Sequence, residues 1–527
     1  MLIVQTNKAQ YEYDIHSLVK AFYPEQEVKV LTPESVIKDR KIKEIEPIME
    51  LVFGESKVLL KIRNETGENG LHNTKTPSVK SDSLSNGDTQ KDEPKRTEEN
   101  GWHVYTWTNT DRVSDSDYKN AFKRFLYTSL REATGISLPW GNLTGIRPTK
   151  IAMTMMEQGR SEEEIDAFLR EKHLVSKEKT KLGIDIAKRE KALLDQLHYE
   201  DGYSLYIGIP FCPTTCLYCS FTSFPICVWK DRVADYLSAL DKEIDNIAEI
   251  YREKKLDTIY IGGGTPSSLS AEELDRLLTK IKTTLDFTYV KEFTVEAGRA
   301  DSITKEKLQV LYQHGVTRIS VNPQTMKQAT LDFIGRRHTV EQVIDAFAMA
   351  REVGFDNINM DIILGLPGET AADVQATVEA IKELEPDSLT VHSLAVKRAS
   401  KLRSWIEQNG IAMINNTEEM MQIAAQGAAD MGMFPYYLYR QKNMSGNFEN
   451  VGYAKDGKYG IYNILIMEEK QTIVALGAGS ITKRVFTDGR IERCDNVKDV
   501  ALYIEKIDEM IERKRKLLET DKSGDAQ

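Results

Sequence analysis

Three cysteines fall within eight residues of one stretch, GIPFCPTTCLYCSF at 208–221: Cys212, Cys216 and Cys219. Three thiolates on one loop can converge on one centre, and the absent fourth ligand bears on what that centre is. Structural zinc takes four protein ligands, and the next thiol, Cys227, stands eight residues beyond Cys219. A dithiol of the thioredoxin kind at Cys216 and Cys219 would need a different fold around it. A [4Fe-4S] cluster held by three cysteines leaves one iron free to bind and reduce a ligand, and a fourth thiol would fill that position. With five cysteines in 527 residues, a disulfide framework is not the reading.

The elements that must position these thiols begin at about residue 204. Short apolar runs there alternate with amphipathic segments. SLYIGIP precedes a helix at about 231–254, TIYIGGG one at 271–285, and EFTVEAG one at 304–314. RISVNPQ precedes 339–353, NINMDIILG precedes 370–384, and SLTVHSLAV a helical stretch around 418–431. Six βα units in series predict an α/β fold with a parallel sheet. The lack of a GxGxxG fingerprint favours a partial (βα)6 barrel, over residues 201–400, against a doubly wound sheet. Barrel chemistry sits where the strands end. There this chain places Glu296, Gln324 and Asp361, with Asn357 and Asn359 on the face of Asp361. Gly263, Gly264 and Thr265, at the end of TIYIGGGT, mark a point of close backbone approach.

The flanking regions differ in texture. Residues 1–200 predict an α+β N-terminal domain with helices at about 116–134 and within 160–198. The stretch 64–101, almost free of large apolar residues, predicts a disordered insert between the strand-like KVLLKIRN and WHVYTWTN. Residues 401–527 predict a substrate-covering domain. In it, YNILIMEEKQTIVALGAGSITKR is expected to form strands around a glycine turn, and a charged helix follows at about 497–519. A net charge of −11 argues against a nucleic-acid partner. No run of 18 apolar residues offers a membrane span and no signal segment opens the chain, so a cytoplasmic location is expected.

CxxxCxxC after the first barrel strand, with Tyr218 before its last cysteine and GGGTP after the second strand, resembles the radical S-adenosylmethionine superfamily. YIGIPFC, GGGTP, VEAG, RISVNPQ, IGRRH, NMDIILGLPGET and HSLAV follow the order and spacing of its oxygen-independent coproporphyrinogen III oxidase group. With the long N-terminal region and YYLYRQKNMSGNFENVGYAK, the likeness is to the HemZ-type coproporphyrinogen dehydrogenases. The resemblance implies a [4Fe-4S] cluster on Cys212, Cys216 and Cys219. It implies S-adenosyl-L-methionine held by Tyr206, Tyr218, Gly263, Gly264, Thr265, Glu296, Gln324, Arg336, Asp361 and Ala395. The reaction implied is oxidative decarboxylation of coproporphyrinogen III to protoporphyrinogen IX, begun by a 5'-deoxyadenosyl radical, in porphyrin and haem biosynthesis. An electron donor of flavodoxin or ferredoxin type and an electron acceptor are the implied partners. A tetrapyrrole with four carboxylates calls for cations, and Arg398, Arg403, Arg440 and Lys442, with Tyr437, are the candidates. One position departs from the group's pattern. Its established oxidases continue as CxxxCxxCxC, whereas this chain has Phe221, as related haem chaperones do. A haem-binding chaperone and a radical enzyme acting on haem therefore stand beside the oxidase.

Overall fold

The computed structural model describes the chain except residues 25, 39–45, 64–93, 109–113, 146, 199–200, 222, 398–399, 410–413, 441–447 and 520–527. Two compact units are present, Met1–Ile184 and Asp185–Gln527.

The first unit is built on a six-stranded sheet. In Lys57–Arg63 alternate side chains turn inward, burying Val58, Leu60 and Ile62. This strand pairs antiparallel with Trp102–Thr108, register Lys57 to Thr108. Helices Glu12–Phe22 and Asp115–Thr134 bury Leu18, Phe22, Phe122 and Leu126 in one core with Leu2, Val4, Leu51 and Leu60 of the sheet. Ser114 caps the longer helix by accepting from the Asp117 N–H, and Gly135 at φ 71° ends it. Lys95–Glu99, within the stretch read as an insert, forms an exposed edge strand on Trp102–Thr108. The rest of that stretch up to residue 93 lies outside the described residues.

The second unit carries the cysteines. Its strands are β1 Gly202–Ile209, β2 Lys255–Gly263, β3 Glu292–Gly298, β4 Arg318–Val321, β5 Ile358–Leu364 and β6 Ser388–Ser393. Each pairs parallel with the next, and helices follow them at Val233–Ile250, Ala271–Thr284, Lys305–Gln313, Val340–Val353 and Ala371–Leu384. This is the parallel α/β arrangement, with helices following the strands, expected from the βα series. Ser270, Thr304 and Thr339 cap three of the helices from their side chains. The strands are buried almost throughout, as in a parallel sheet covered on both faces.

The sheet does not end at residue 400. Phe434–Tyr439 (β7), Asn450–Ala454 (β8), Thr472–Leu476 (β9), Ile481–Val485 (β10) and Ile491–Asp495 (β11) extend it at both edges, in the order β7-β8-β6-β5-β4-β3-β2-β1-β9-β10-β11. β9 lies parallel to β1, and β8 antiparallel to β6. Helix Ile507–Glu519 is pinned to the barrel helix Val233–Ile250 by the buried pair Lys514–Glu243. Glu243 also accepts from the Tyr503 hydroxyl, the Gly477 N–H and Asn496.

The strand expectation fails over YNILIME. Ile461–Glu468 is a helix, opened by Gly460 and closed by Glu469 in the left-handed region at φ 52°. An apolar run of this length fits a buried helix as well as a strand, so its pattern alone does not decide. Two tertiary contacts favour the helix: the Ile461 N–H donates to the Glu292 carboxylate at the start of β3, and Tyr462 stacks on Tyr260 of β2 with centroids 4.5 Å apart.

Candidate functional site

The cysteine loop is tied down on both sides. Gly264 and Thr265, just past β2, donate their N–H groups to the carbonyls of Ile209 and Phe211 at 2.8 and 2.7 Å. Gly264 is required here: a Cβ would stand 2.6 Å from the Phe211 carbonyl oxygen and 3.0 Å from Cys212 Sγ. On the other side the Leu217 N–H donates to Ile334 and its carbonyl accepts from the Leu402 N–H, both at 2.9 Å. Leu217 and Tyr218 pack against a small apolar cluster of Leu331, Ile334, Ile363, Leu366, Leu394 and Leu402.

Each thiol has its own surroundings. Thr265 Oγ1 donates to Cys212 Sγ at 3.4 Å, and Arg299 Nη1 to Cys216 Sγ at 3.6 Å. Cys212 and Cys216 are buried, and Cys219 is half-buried. Burial pushes the Cys212 thiol up, and so do the charges of Cys219 and Cys216, which places the three within electrostatic reach of one another. Burial likewise raises Cys219, against the Phe221 N–H and the charges of Arg336 and Lys397, which stabilise its thiolate. Among the described residues no three His, Cys, Asp or Glu side chains converge as a single-ion site.

Around this loop lie most of the residues expected beside the cofactor. Arg336, 5% exposed, donates Nη1 to the Asn322 carbonyl and stands beside Tyr218 and Cys216. Gln324, a non-glycine residue at φ 69°, is locked by backbone bonds to β5: its N–H donates to Asp361 at 2.9 Å and its carbonyl accepts from Ile363 at 2.9 Å. Such a backbone costs free energy and is kept where the surroundings over-determine it. The Gln324 Oε1 and Arg336 Nε are buried without hydrogen-bond partners, an acceptor and a donor left for a ligand. Glu296 accepts from the Tyr260 hydroxyl. Burial pushes its carboxyl up to about 7 and the charge of Asp361 adds to the rise, while Tyr260 and the Gly263 N–H oppose it. Asp361 goes the other way. Its burial is outweighed by His392, whose Nε2 lies 3.8 Å from Oδ2, and by Asn359, whose Nδ2 donates to Oδ1 at 2.7 Å. One acid is thus held protonatable near neutrality and its neighbour ionised.

The substrate-side candidates are dispersed. Tyr437 is buried and near Asp361, stacked on Tyr439 at 6.2 Å between centroids. Arg440 is 5% exposed, and burial lowers its pKa to about 10 against the charge of Glu449. Arg403 is exposed and pairs with Glu407 one helical turn on. Ala395 follows β6 at the rim and is half-buried. Arg398 and Lys442 lie outside the described residues.

Three residues of the site, Tyr260, Tyr462 and Arg299, escaped sequence reasoning, and a fourth, His392, stood out only as one of several histidines. Tyr260 stands opposite Tyr206 in register on β1, and the inward alternation of TIYIGGG could have found it. Tyr462 completes a stack with both, its centroid 6.2 Å from that of Tyr206, but was hidden in the misread helix. His392 joins Asp361 to the Tyr439 hydroxyl, 3.5 Å from its Nδ1. Arg299 follows VEAG directly and gives no local signal of its sulfur contact.

The donor set fits an iron–sulfur cluster with a polar ligand: three thiols with hydrogen-bond donors to two of them, a glycine cradle, and an unpaired acceptor and donor on the same rim. The model for the radical SAM superfamily matches residues 206–381. Proteins of this superfamily use a [4Fe-4S] cluster and S-adenosyl-L-methionine, and Cys212, Cys216 and Cys219 lie within the matched segment. The chain is 43% identical over 417 residues to the oxygen-independent coproporphyrinogen-III oxidase-like protein HemZ of Bacillus subtilis, covering 77% of this chain and 83% of that one. It belongs to that HemZ, coproporphyrinogen oxidase-like family of radical SAM proteins. It is also 33% identical over 280 residues to the heme chaperone HemW of Bacillus subtilis, 53% of this chain and 70% of the relative. The solved coproporphyrinogen III oxidase HemN of Escherichia coli aligns with a TM-score of 0.48 at 21% identity, over 61% of this chain and 72% of that one. No helix among the described residues is long and apolar enough to cross a membrane.

Proposed function

We propose that this chain is a coproporphyrinogen dehydrogenase, converting coproporphyrinogen III to protoporphyrinogen IX by oxygen-independent oxidative decarboxylation in the cytoplasm. The observation that carries the reading is the reach of the HemZ similarity, 77% of the chain against 53% for HemW. When bound, the cluster and S-adenosylmethionine supply a radical able to take hydrogen from the β-carbon of a propionate. The protein's own residues bind and orient. Cys212, Cys216 and Cys219 hold the cluster. Gly263, Gly264 and Thr265 present backbone and a hydroxyl on one side, and Gln324 and Arg336 an acceptor and a donor on the other. Glu296 gives up its proton when a cationic ammonium arrives beside it, and Asp361, already ionised, accepts from hydroxyls. Tyr206, Tyr260 and Tyr462 fill the space beside Glu296 and keep water from it. Tyr218 packs beside Arg336, and Ala395 lines the rim. Residues 401–527 cover the substrate, with Tyr437 facing it and Arg398, Arg403, Arg440 and Lys442 receiving its carboxylates. A flavodoxin- or ferredoxin-like protein delivers the electron that starts each turnover, and an acceptor removes one after carbon dioxide leaves.

The test is anaerobic. The cluster is reconstituted, dithionite, S-adenosylmethionine and coproporphyrinogen III are added, and 5'-deoxyadenosine and protoporphyrinogen are followed together by chromatography. Substrate-dependent formation of both is expected. A full cluster with neither product above background refutes the dehydrogenase and leaves the second reading, haem delivery. That reading is favoured by the likeness to HemW and by Phe221, 70% exposed where the oxidases carry a further cysteine. Stoichiometric haem binding with no cleavage of S-adenosylmethionine would establish it.

A further inference from the structure

Arg299 is not among the residues the motif readings single out, yet it is the best-anchored cation at the cysteine loop. It is 3% exposed. Its Nε and Nη2 donate to the two oxygens of Asp301 at 3.0 and 2.6 Å, a bidentate pair that fixes the plane of the guanidinium. That leaves Nη1 aimed at the loop, where it donates to the Thr214 carbonyl at 3.1 Å, the Thr214 hydroxyl at 2.8 Å and Cys216 Sγ at 3.6 Å. Thr214 is in turn tied through its hydroxyl to the Gly335 carbonyl at 3.2 Å. Asp301 lies in the short turn Ala300–Ser302 after β3, and the Ser302 hydroxyl bonds the Arg299 carbonyl at 2.8 Å. The guanidinium is therefore rigid with respect to the sheet, and the loop is rigid with respect to the guanidinium.

We propose that Arg299 is the positioning residue of the cluster: it holds the loop through Thr214 and, by a charge-assisted N–H···S bond to Cys216, raises the cluster's reduction potential. The physical reason is charge. A four-iron cluster on three thiolates becomes one unit more negative when it takes an electron. A buried cation with an N–H on a ligand sulfur stabilises the more negative form, and hydrogen bonds to sulfur are among the levers that set such potentials. In the assay one electron enters from dithionite, and no covalent bond changes. The inference needs the cluster alone and stands whichever tetrapyrrole reaction the protein performs.

The experiment uses the full chain, reconstituted anaerobically, as wild type, Arg299→Lys and Arg299→Gln. Iron and sulfide content, the thermal melt, and the cluster midpoint from a redox titration followed by electron paramagnetic resonance are read for each. An ammonium keeps the charge but cannot serve Thr214, Cys216 and both Asp301 oxygens at once, so Arg299→Lys is expected to load iron and shift to a more negative midpoint. Arg299→Gln is expected to shift further, with at least a tenfold loss in the equilibrium constant for reduction, which is about 59 mV for one electron. Full iron with an unchanged midpoint in both variants overturns the proposal. So does a melt far below wild type in both, which would make Arg299 a folding residue. If both fold as wild type but load no iron, the loading expected of Arg299→Lys fails, and the claim that Arg299 sets the potential of a cluster that forms without it is overturned.

Discussion

Glu296→Gln in the ligand-free protein should stabilise the fold above neutral pH while weakening S-adenosylmethionine binding. The carboxyl is raised from 4.5 to about 7, first by burial and then by the charge of Asp361. A carboxyl whose folded pKa is raised binds its proton more tightly folded than unfolded. Stability is therefore highest below about 4.5 and is lost as pH climbs toward about 7. The full loss corresponds to about 3 kcal/mol. With an unfolding entropy of about 2.1 cal/mol/K per residue over a unit the size of 185–527, that is about 4 °C in melting temperature. Glutamine keeps an oxygen for the Tyr260 hydroxyl and carries no charge to bury. The assay is a pair of thermal melts, at pH 5 and pH 8, by circular dichroism. Little difference between variant and wild type is expected at pH 5, and a variant more stable by about 4 °C at pH 8. Isothermal titration at pH 8 should show weaker binding of S-adenosylmethionine to the reconstituted variant. A melting difference equal at both pH values, or a variant less stable at pH 8, refutes the reasoning, because Glu296 would then not be a carboxylate held at a cost for a cationic ligand.

Cys216→Ala should abolish iron–sulfur absorbance after reconstitution, and retention of a full cluster would overturn the metal assignment. Gly264→Ala, whose Cβ would fall 2.6 Å from the Phe211 carbonyl oxygen, should lower iron loading several-fold at near-constant far-ultraviolet circular dichroism. Lys514→Met leaves the buried Glu243 carboxylate without its cation and should cost about 3–5 kcal/mol in denaturant unfolding. Pairing it with Glu243→Gln should recover much of that loss, and strictly additive losses would show the two charges to be uncoupled.

The positions of the site were legible where one element sets one side chain. The six parallel strands follow from the alternation of apolar runs and amphipathic segments. Glu296 and Asp361 follow from polar residues at positions where a strand core would otherwise be apolar. The cysteine spacing puts three thiols on one loop, which the structure shows tied down after β1. Legibility stops where a contact joins residues far apart in the chain. The eight residues Ile461–Glu468 are apolar enough to be a strand, and only a Glu292 169 positions earlier and the ring of Tyr260 make a helix the better partner. β9 inserts beside β1 across more than 260 residues, and no local pattern announces that pairing. The same holds for the cations expected to meet the substrate. The sequence offers Arg403, after the sixth strand, and Arg440, among tyrosines, as candidate substrate cations, whereas the fold leaves Arg403 in solvent beside Glu407 and buries Arg440 near Glu449.

That contrast bears on how the site divides its labour. The cofactor side is made of groups the fold has already strained or desolvated: Gln324 at positive φ, Glu296 raised toward neutrality, Arg299 clamped by Asp301. Gln324 and Glu296 cost stability before any ligand arrives, and a bound donor or cation relieves that cost, whereas Arg299 is already compensated by Asp301. Of the substrate candidates among the described residues, Arg440 shares this desolvation, whereas Arg403 has its exposed partner and Tyr437 sits stacked among other tyrosines. A radical-generating centre must be pre-formed to exclude water and side reactions, and the strained groups meet that need. Recognition of a large, four-carboxylate macrocycle can instead be completed on binding by cations such as Arg403, which spends the ligand-free state in an ordinary surface pair. On this argument, substitutions at Arg403 should raise the substrate KM and leave cleavage of S-adenosylmethionine without substrate unchanged, while Gln324→Ala should depress that cleavage directly. The reverse pattern would place substrate recognition among the strained residues and sink the division.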